Sequence, residues 1–276
     1  ALQNMISNLV ITENKVTGSF TKNGMEIYYS NNYFPYLETI LSVNYYDTYP
    51  SNAPSRPATI LGKSTITDNL GNTINTKDLI TASYVKNIED DNWTKNYIWY
   101  DDEARAIGSH SINYLGGYTK TETELDFTGM PQKTNTYHLR KQGENGVTIK
   151  ERFVYDNQNR LKQHFHQVDG NAEELLTENT YNELSQLANK KVGNNLQSID
   201  YAYNIRGWMT DINRDQMPLS DIVCKLFSYK IKYNQKEGIT NPDPSLFSGK
   251  DVKDKYNGSI VEVDWRAVDN KGNYPS

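Results

Sequence analysis

Two histidines lie two residues apart, and their rings could share a metal ion. His164 and His166 flank Phe165. On a β-strand, side chains two residues apart point to the same face, and imidazole is a common zinc ligand. The chain holds only four histidines, and no third ligand can be named. We therefore interpret the pair as part of a solvated strand face and predict no metal.

Runs of carboxylates suggest a second kind of chemistry, a calcium site or an acid–base pair. The runs are Asp101-Asp102-Glu103 and residues 89–91 (Glu-Asp-Asp). Calcium loops place oxygen ligands at set spacing around a glycine turn, and glycosidases hold two carboxylates at a fixed separation. The first spacing is absent, and the second is a property of the folded chain. Solvated loops are the expectation for both runs.

The candidate nucleophiles are Ser109, which precedes His110, and Cys224. Neither lies in a Gly-x-Ser-x-Gly elbow, and the chain has no Gly-rich phosphate loop. A single cysteine excludes an internal disulfide and a multi-cysteine zinc site, and the apolar neighbours of Cys224 favour a small buried group. His110 and His138 are isolated and are interpreted as surface or hairpin residues. We expect no enzymatic activity and no cofactor.

The composition favours folded β-sheets with wet faces over a thick dry core. Of 276 residues, 36% are hydrophobic, yet 21 are Tyr and 7 are Phe, and a tyrosine can bury its ring while its hydroxyl meets water. Net charge is -5 with no basic stripe, which argues against nucleic acid as a partner. No stretch is long and apolar enough for a membrane helix. Residues 1–10 lack the features of a signal peptide, and a cut fragment is expected.

One short pattern recurs along the chain. It is an aromatic residue, then Asp or Asn, then two or three turn-forming residues, often followed by Arg and an apolar residue. The best copy covers residues 155–161, later copies start 26, 22, 30 and 23 residues apart, and Tyr100 and Phe127 extend the series upstream. The residues assigned to the repeat are Tyr155, Asp156, Arg160, Leu161, Tyr181, Asn182, Tyr203, Asn204, Gly207, Trp208, Tyr233, Asn234, Tyr256 and Asn257.

The pattern predicts a strand, a tight turn and a second strand. Asp or Asn bonds its own backbone two residues on, while Asn159 or Gly207 can supply the positive φ that a hairpin needs. Flanking segments such as 227–233 and 261–265 alternate with period two. The predicted fold is all-β, with repeated antiparallel hairpins in a curved open sheet. Each repeat ring is expected to pack beside its counterparts in neighbouring units.

Three segments depart from the repeat. Residues 172–190 carry a helical stripe of leucines, but a hairpin is favoured because Tyr181 keeps the repeat register. Residues 1–96 form a β-rich region with a proline loop over 47–58, whereas 97–276 form the repeat segment. A further excursion covers 235–255, where Asn-Pro-Asp-Pro at 241–244 forbids ladder pairing.

The unit at residues 155–161 resembles the repeat that defines the bacterial rearrangement hot spot (Rhs, or YD-repeat) family. Residues 177–184 and 200–208 are similar to a variant of that repeat. The resemblance is firm over 151–212, weaker over 97–150 and 213–265, and absent from the first part. Similar repeats occur in the C component of insecticidal toxin complexes and in teneurins.

The resemblance implies a secreted or cell-surface bacterial protein whose β-strip winds into a hollow shell around a C-terminal toxic domain. The implied partners are further YD repeats and the effector domain of the same polypeptide. About seven units are too few to close a shell, and no autocleavage motif follows Trp265. The alternative is a carbohydrate-binding or adhesive module that presents sheet aromatics to cell-surface glycans.

Overall fold

A computed structural model describes residues 13–32, 38–217, 225–237, 245, 248–249 and 253–267. Within these residues the regular structure is β-strand apart from a short 3-10 turn, Arg214–Gln216, so the predicted all-β fold is confirmed. Cys224, residues 241–244 and residues 1–10 lie outside the described residues. The strands are β1 Lys15–Lys22, β2 Met25–Tyr29, β3 Ser42–Tyr46, β4 Thr59–Ile60, β5 Lys63–Ser64, β6 Ile80–Lys86, β7 Trp93–Tyr100, β8 Ala106–Ile112, β9 Gly116–Leu125, β10 Pro131–Lys141, β11 Val147–Tyr155, β12 Leu161–Val168, β13 Glu174–Tyr181, β14 Leu187–Val192, β15 Gln197–Tyr203, β16 Met209–Ile212, β17 Phe227–Tyr233 and β18 Ile260–Ala267.

Fourteen of these strands form one open antiparallel sheet. Its order is β3, β6 and then every strand from β7 to β18 in chain order. Successive strands are therefore neighbours, as expected for a series of hairpins. Strands β1 and β2 form a separate pair, and so do β4 and β5. Among the described residues the edges of the large sheet are β3 and β18.

The chain divides into two compact units. One comprises Ala1–Arg152 with Gln167–Ala172, and the other comprises Phe153–His166 with Glu173–Ser276. The predicted boundary between residues 96 and 97 follows the change in sequence pattern and stays a prediction.

The first unit has a core of buried aromatic rings. Tyr45, Tyr84 and Tyr97 are fully buried, and their rings meet edge to face at centroid distances of 5.1 and 6.0 Å. Burial is tolerated because the hydroxyls are satisfied: those of Tyr84 and Tyr97 are 3.1 Å apart, and that of Tyr45 accepts from the Tyr28 amide. Burial raises the pKa of Tyr45 to about 12. The expectation of wet sheets without a dry core is wrong here.

A different arrangement begins at Tyr118. From there to Thr210 no residue is buried, and most are half-exposed. Among the described residues, this stretch therefore contributes no side chain to a buried core. The predicted wet sheet is confirmed for these strands.

The segment with the helical stripe is a hairpin, as predicted. Strands β13 and β14 pair antiparallel across the turn at Asn182, and Leu184 at the tip is 73% exposed. Turn chemistry therefore decides the structure over helix propensity. The proline loop is also confirmed, because residues 47–58 carry no strand.

Candidate functional site

The best copy of the repeat folds into a five-residue turn organised by Asp156. One carboxylate oxygen, Oδ1, accepts from the amides of Gln158 at 2.9 Å and Arg160 at 3.1 Å. The other, Oδ2, is bound by the guanidinium of Arg160, with Nε at 2.7 Å. The hydrogen bonds from Arg160 hold the pKa of this carboxyl below its ordinary value. Asn159 has a φ of 57°, the left-handed conformation predicted for it.

Within the described ranges the same turn occurs six times. In each, the Asx side chain accepts from the amides two and four residues on, at 2.8 to 3.1 Å, and the residue three places on has a φ between 57° and 88°. Two backbone hydrogen bonds close each turn. The Asx residues are Asp101, Asn113, Asp126, Asp156, Asn182 and Asn204.

Two of these turns correct the sequence analysis. The unit expected to start at Phe127 starts instead at Leu125, because Asp126 is the turn acceptor; Phe127 lies at the tip and is 90% exposed. The turn at Asn113 was missed, since Ile112 rather than an aromatic residue precedes it. The usable signal was the glycine three places on, Gly116, whose φ is 75°.

Asp101 was expected in a solvated loop, and this prediction is wrong. Its side chain is 0% exposed and binds Arg105 through Nε at 2.8 Å and Nη2 at 2.7 Å. Tyr100-Asp101 is a repeat unit, so the carboxylate accepts from the amides of its own turn and binds Arg105 instead of facing solvent. Asp102 is solvated and pairs with Lys63 at 2.8 Å. Residues 89–91 form an exposed loop, as predicted.

Successive hairpins are tied together by tyrosine hydroxyls. The hydroxyl of Tyr181 donates to the carbonyl of Leu161 at 2.8 Å, and that of Tyr203 to the carbonyl of Leu187 at 2.9 Å. Tyr233 donates in the same way to Met209 at 2.9 Å. Each acceptor lies five residues after the Asx residue of the preceding turn. We call this contact the tyrosine tie.

The rings of the repeat tyrosines pack on the preceding turn. The guanidinium carbon of Arg160 lies 4.5 Å from the ring centroid of Tyr181, and the rings of Trp208 and Tyr233 are 5.1 Å apart. Tyr181 and Tyr233 were expected to pack against neighbouring repeat tyrosines. Instead, each contacts the last residue of the preceding turn, which is Arg160 for Tyr181 and Trp208 for Tyr233. Asp156 positions Arg160, which in turn covers the next tyrosine.

A second recurring contact lies at the opposite hairpin ends. Asp169 donates its amide to the carbonyl of Thr148 and accepts from the Thr148 amide with Oδ1, both at 2.7 Å. Two asparagines repeat this two-point clamp with φ values of 53° and 50°. Asn194 clamps Leu175, and Asn213 clamps Asp200.

The last two predicted units show no complete turn within the described residues, which do not include position 238. Asn234 has a φ of 69°, but its carbonyl accepts from Lys255 across the excursion. Asn257 accepts only from the amide two residues on, Ser259, at 3.1 Å. Tyr256 is largely exposed. Of the two, only Tyr233 takes part in a tyrosine tie.

The histidines are placed by aromatic contacts. His164 stacks on Phe153 at 4.6 Å. His110 lies between Trp99 and Tyr118, and burial, with Lys120 nearby, lowers its pKa. It is half-buried in the β8–β9 hairpin, where it pairs with Lys120, so it is a hairpin residue as predicted but is not isolated. His138 is exposed, with its Nδ1 2.9 Å from the Thr119 hydroxyl. Within the described ranges no three His, Cys, Asp or Glu side chains cluster as a metal site would require.

The final pair of strands has one charged and one apolar face. On β17, Lys232 is only 4% exposed and binds Glu262 and Asp264 of β18, the latter at 2.8 Å. Its ammonium also donates to the carbonyl of Glu237, so the segment after β17 covers the charged face. On the apolar face Ile231 of β17 is buried, whereas Val263 and Trp265 of β18 are exposed, the latter at 47%.

Comparison with known proteins gives no family. No family model and no curated protein matches the chain. In the described part of the chain, no helix has the length and apolarity needed to cross a membrane.

Solved structures give distant similarities, of which three illustrate the extent. One is titled "Crystal Structure of TcdB2-TccC3-Cdc42". It is 13% identical, the match covers 62% of this chain and 11% of that chain, and the TM-score is 0.28. The second is titled "Crystal Structure of TcdB2-TccC3 without hypervariable C-terminal region". It is 14% identical, the match covers 56% of this chain and 9% of that chain, and the TM-score is 0.31. The third is titled "Crystal Structure of TcdB2-TccC3". It is 14% identical, the match covers 62% of this chain and 10% of that chain, and the TM-score is 0.31. The chain spans about a tenth of those chains, and likenesses of this extent carry no functional argument.

Proposed function

We propose that the chain is a structural wall segment of a secreted or cell-surface bacterial protein of the YD-repeat type. In that role it continues into further repeats and helps to enclose or present a C-terminal effector domain of the same polypeptide. The observation that supports the proposal is the repeated turn joined to the next hairpin by a tyrosine tie. A wall of indefinite length needs such a unit, since each hairpin contacts mainly its two neighbours.

The polar side chains of the repeat make hydrogen bonds and ion pairs within the fold. The carboxylates of Asp101 and Asp156 accept from their own turns and bind Arg105 and Arg160. The tyrosine hydroxyls donate to backbone carbonyls. These groups therefore have hydrogen-bond partners within the fold, which is the arrangement expected of a scaffold and not of an acid–base site. We propose no enzymatic activity for this segment.

The experiment is limited proteolysis of the natural polypeptide that contains this segment and its C-terminal domain. We expect that domain to resist protease in the intact polypeptide and to be cut quickly when it is expressed alone. Intact polypeptide carrying Tyr203→Ala should lose part of the protection, whereas Tyr229→Phe should keep it. Equal digestion of the C-terminal domain in the intact and isolated forms would contradict the proposal.

One observation favours the second candidate, a glycan-binding module. Trp265 is exposed on β18 opposite Tyr229, whose ring stacks on Phe227 at 5.7 Å, and exposed aromatic faces can stack on sugars. Trp208, the tryptophan of the repeat, is a poor platform because Arg206 and Tyr233 lie against its ring. A glycan-array signal that disappears in a folded Trp265→Ala variant would favour this candidate.

A further inference from the structure

Strand β18 carries the same pairing geometry as the strands that accept a tyrosine tie. In the hairpin β13–β14, Tyr181 pairs with Leu187 just after a register shift, and in β15–β16, Tyr203 pairs with Met209 in the same way. The carbonyls of Leu187 and Met209 are the acceptors of the following ties. The residue opposite the tyrosine is thus the acceptor for the next hairpin.

Ile260 occupies this acceptor position in the last pair of strands. Tyr233 pairs with Ile260 directly after a register shift between Lys232 and Tyr233. Among the described residues no tyrosine hydroxyl reaches the Ile260 carbonyl, and β18 has no strand on its outer side. The geometry that receives a further hairpin is therefore built at this edge.

The surface of β18 is also that of a pairing strand. Ile260, Val263 and Trp265 are exposed, although protein edges are usually protected by lysine, proline or charges that point inward toward a partner sheet. The two acidic residues of the strand, Glu262 and Asp264, are bound by Lys232 of β17. Their charge is thereby compensated within the fold and does not repel an incoming strand.

We propose that β18 is the docking edge for a β-hairpin whose two strands are joined by a Tyr–Asx turn. The first strand of that hairpin pairs antiparallel with β18, and its tyrosine hydroxyl donates to the carbonyl of Ile260. Main-chain hydrogen bonds supply the affinity and the tie sets the register. The argument for this occupant is continuity with the interface that already joins β14 to β15 and β16 to β17. The inference rests on the proposed function and names the partner surface of the wall.

The test fuses a copy of residues 197–212, the β15–β16 hairpin, to the C-terminus of the full chain through a flexible Gly/Ser linker. Such a tether gives the copy an effective concentration of about millimolar. Hydrogen exchange of the peptide covering residues 260–267 is then measured by mass spectrometry. We expect exchange to slow about tenfold or more. A matched fusion whose copy carries Tyr203→Phe should lose about 3- to 10-fold of that protection, the size of one hydrogen bond.

Each outcome decides the inference. A fusion with a scrambled copy should give no protection, and equal protection by the scrambled copy overturns the inference because the edge is then not selective. Protection that rises with protein concentration identifies a second copy of the chain as the occupant and also overturns it. Unchanged exchange over 260–267, with normal protection in β6 and β7 as proof of folding, overturns it too. A wall that still shields its effector domain in that case shows that the docking inference alone has failed.

Discussion

The aromatic core around Tyr84 and the strands from Tyr118 to Thr210 are stabilised in different ways. In the core, rings from several strands are removed from water and their hydroxyls bond to one another or to the backbone. In the strands from Tyr118 to Thr210 nothing is buried, and order comes from turns, clamps and tyrosine ties. The comparison teaches that one sheet can be held by a core in one part and by nearest-neighbour hydrogen bonds in another.

The largest expected effect lies in the core. Tyr84→Ala removes a fully buried ring that contacts Tyr45 and Tyr97, and such truncations cost about 3 to 5 kcal/mol. Tyr181→Ala should cost less, because that ring is half-exposed. Urea unfolding followed by circular dichroism compares the two. A Tyr181→Ala midpoint as low as that of Tyr84→Ala would break the comparison.

The next largest effect on stability is expected from removing the turn carboxylate, and it should differ between Asp101 and Asp156. Asp101→Ala leaves the guanidinium of Arg105 without its buried partner. Because Arg105 is 22% exposed and keeps Glu103 at 3.2 Å, the loss should lie near the low end of the cost of breaking a buried ion pair, about 3 kcal/mol. Asp156→Ala makes the same change where the carboxylate is 22% exposed instead of fully buried, so solvent compensates part of the lost charge and the effect should be milder. Double variants with Arg105→Met and Arg160→Met provide the controls. Equal losses of stability in the two single variants would show that burial of Asp101 is irrelevant.

A smaller effect tests the tyrosine tie. Tyr203→Phe removes one hydroxyl that donates to Leu187 and should lower the free energy of unfolding by about 1 kcal/mol. Tyr229→Phe is the matched control, since the ring of Tyr229 is packed on Phe227 instead. If both variants unfold at the same urea concentration as the wild type, the tie contributes nothing measurable.

The smallest expected effect is a gain in folding stability from a substitution at Ser185. Ser185 holds a φ of 62° at the third place after Asn182, where Gly207 and Gly129 serve in other turns. Glycine adopts this conformation without strain, and the gain outweighs loss of the exposed hydrogen bond from the Ser185 hydroxyl to Gln158 at 3.1 Å. Ser185→Gly should therefore raise stability, by less than about 1 kcal/mol. Gly207→Ala, at a φ of 78° and with a new methyl only 3.1 Å from Gln186, should do the opposite. Thermal melting measures both changes, and a lower Tm for Ser185→Gly would contradict the strain argument.

The turns were predictable where an aromatic residue and an Asx residue occur together. Asp156, Asn182 and Asn204 satisfy that rule and fold as expected. Asn113 and Asp126 have aliphatic residues before them, so the turn survives without the signal that was used to find it. The aromatic residue serves the neighbouring hairpin rather than its own turn, and its absence therefore does not prevent the turn.

Other contacts could not be predicted because their partners are distant in sequence. The clamps of Asp169, Asn194 and Asn213 join residues 21, 19 and 13 positions away. Alternation in β17 and β18 correctly separated charged from apolar residues. It did not show which face would be covered, since burial of Lys232 depends on Glu237 in the segment that follows β17.

The most direct test of the account is native-state hydrogen exchange of the unmodified chain. It measures the free energy of opening separately for each strand. The account predicts high protection in β6 and β7, which contain Tyr84 and Tyr97, and lower protection in β13 and β14, with neighbouring hairpins opening together. Equal opening free energies across all four strands, lost in a single cooperative step, would contradict the claim that the strands from Tyr118 to Thr210 are held only by their neighbours.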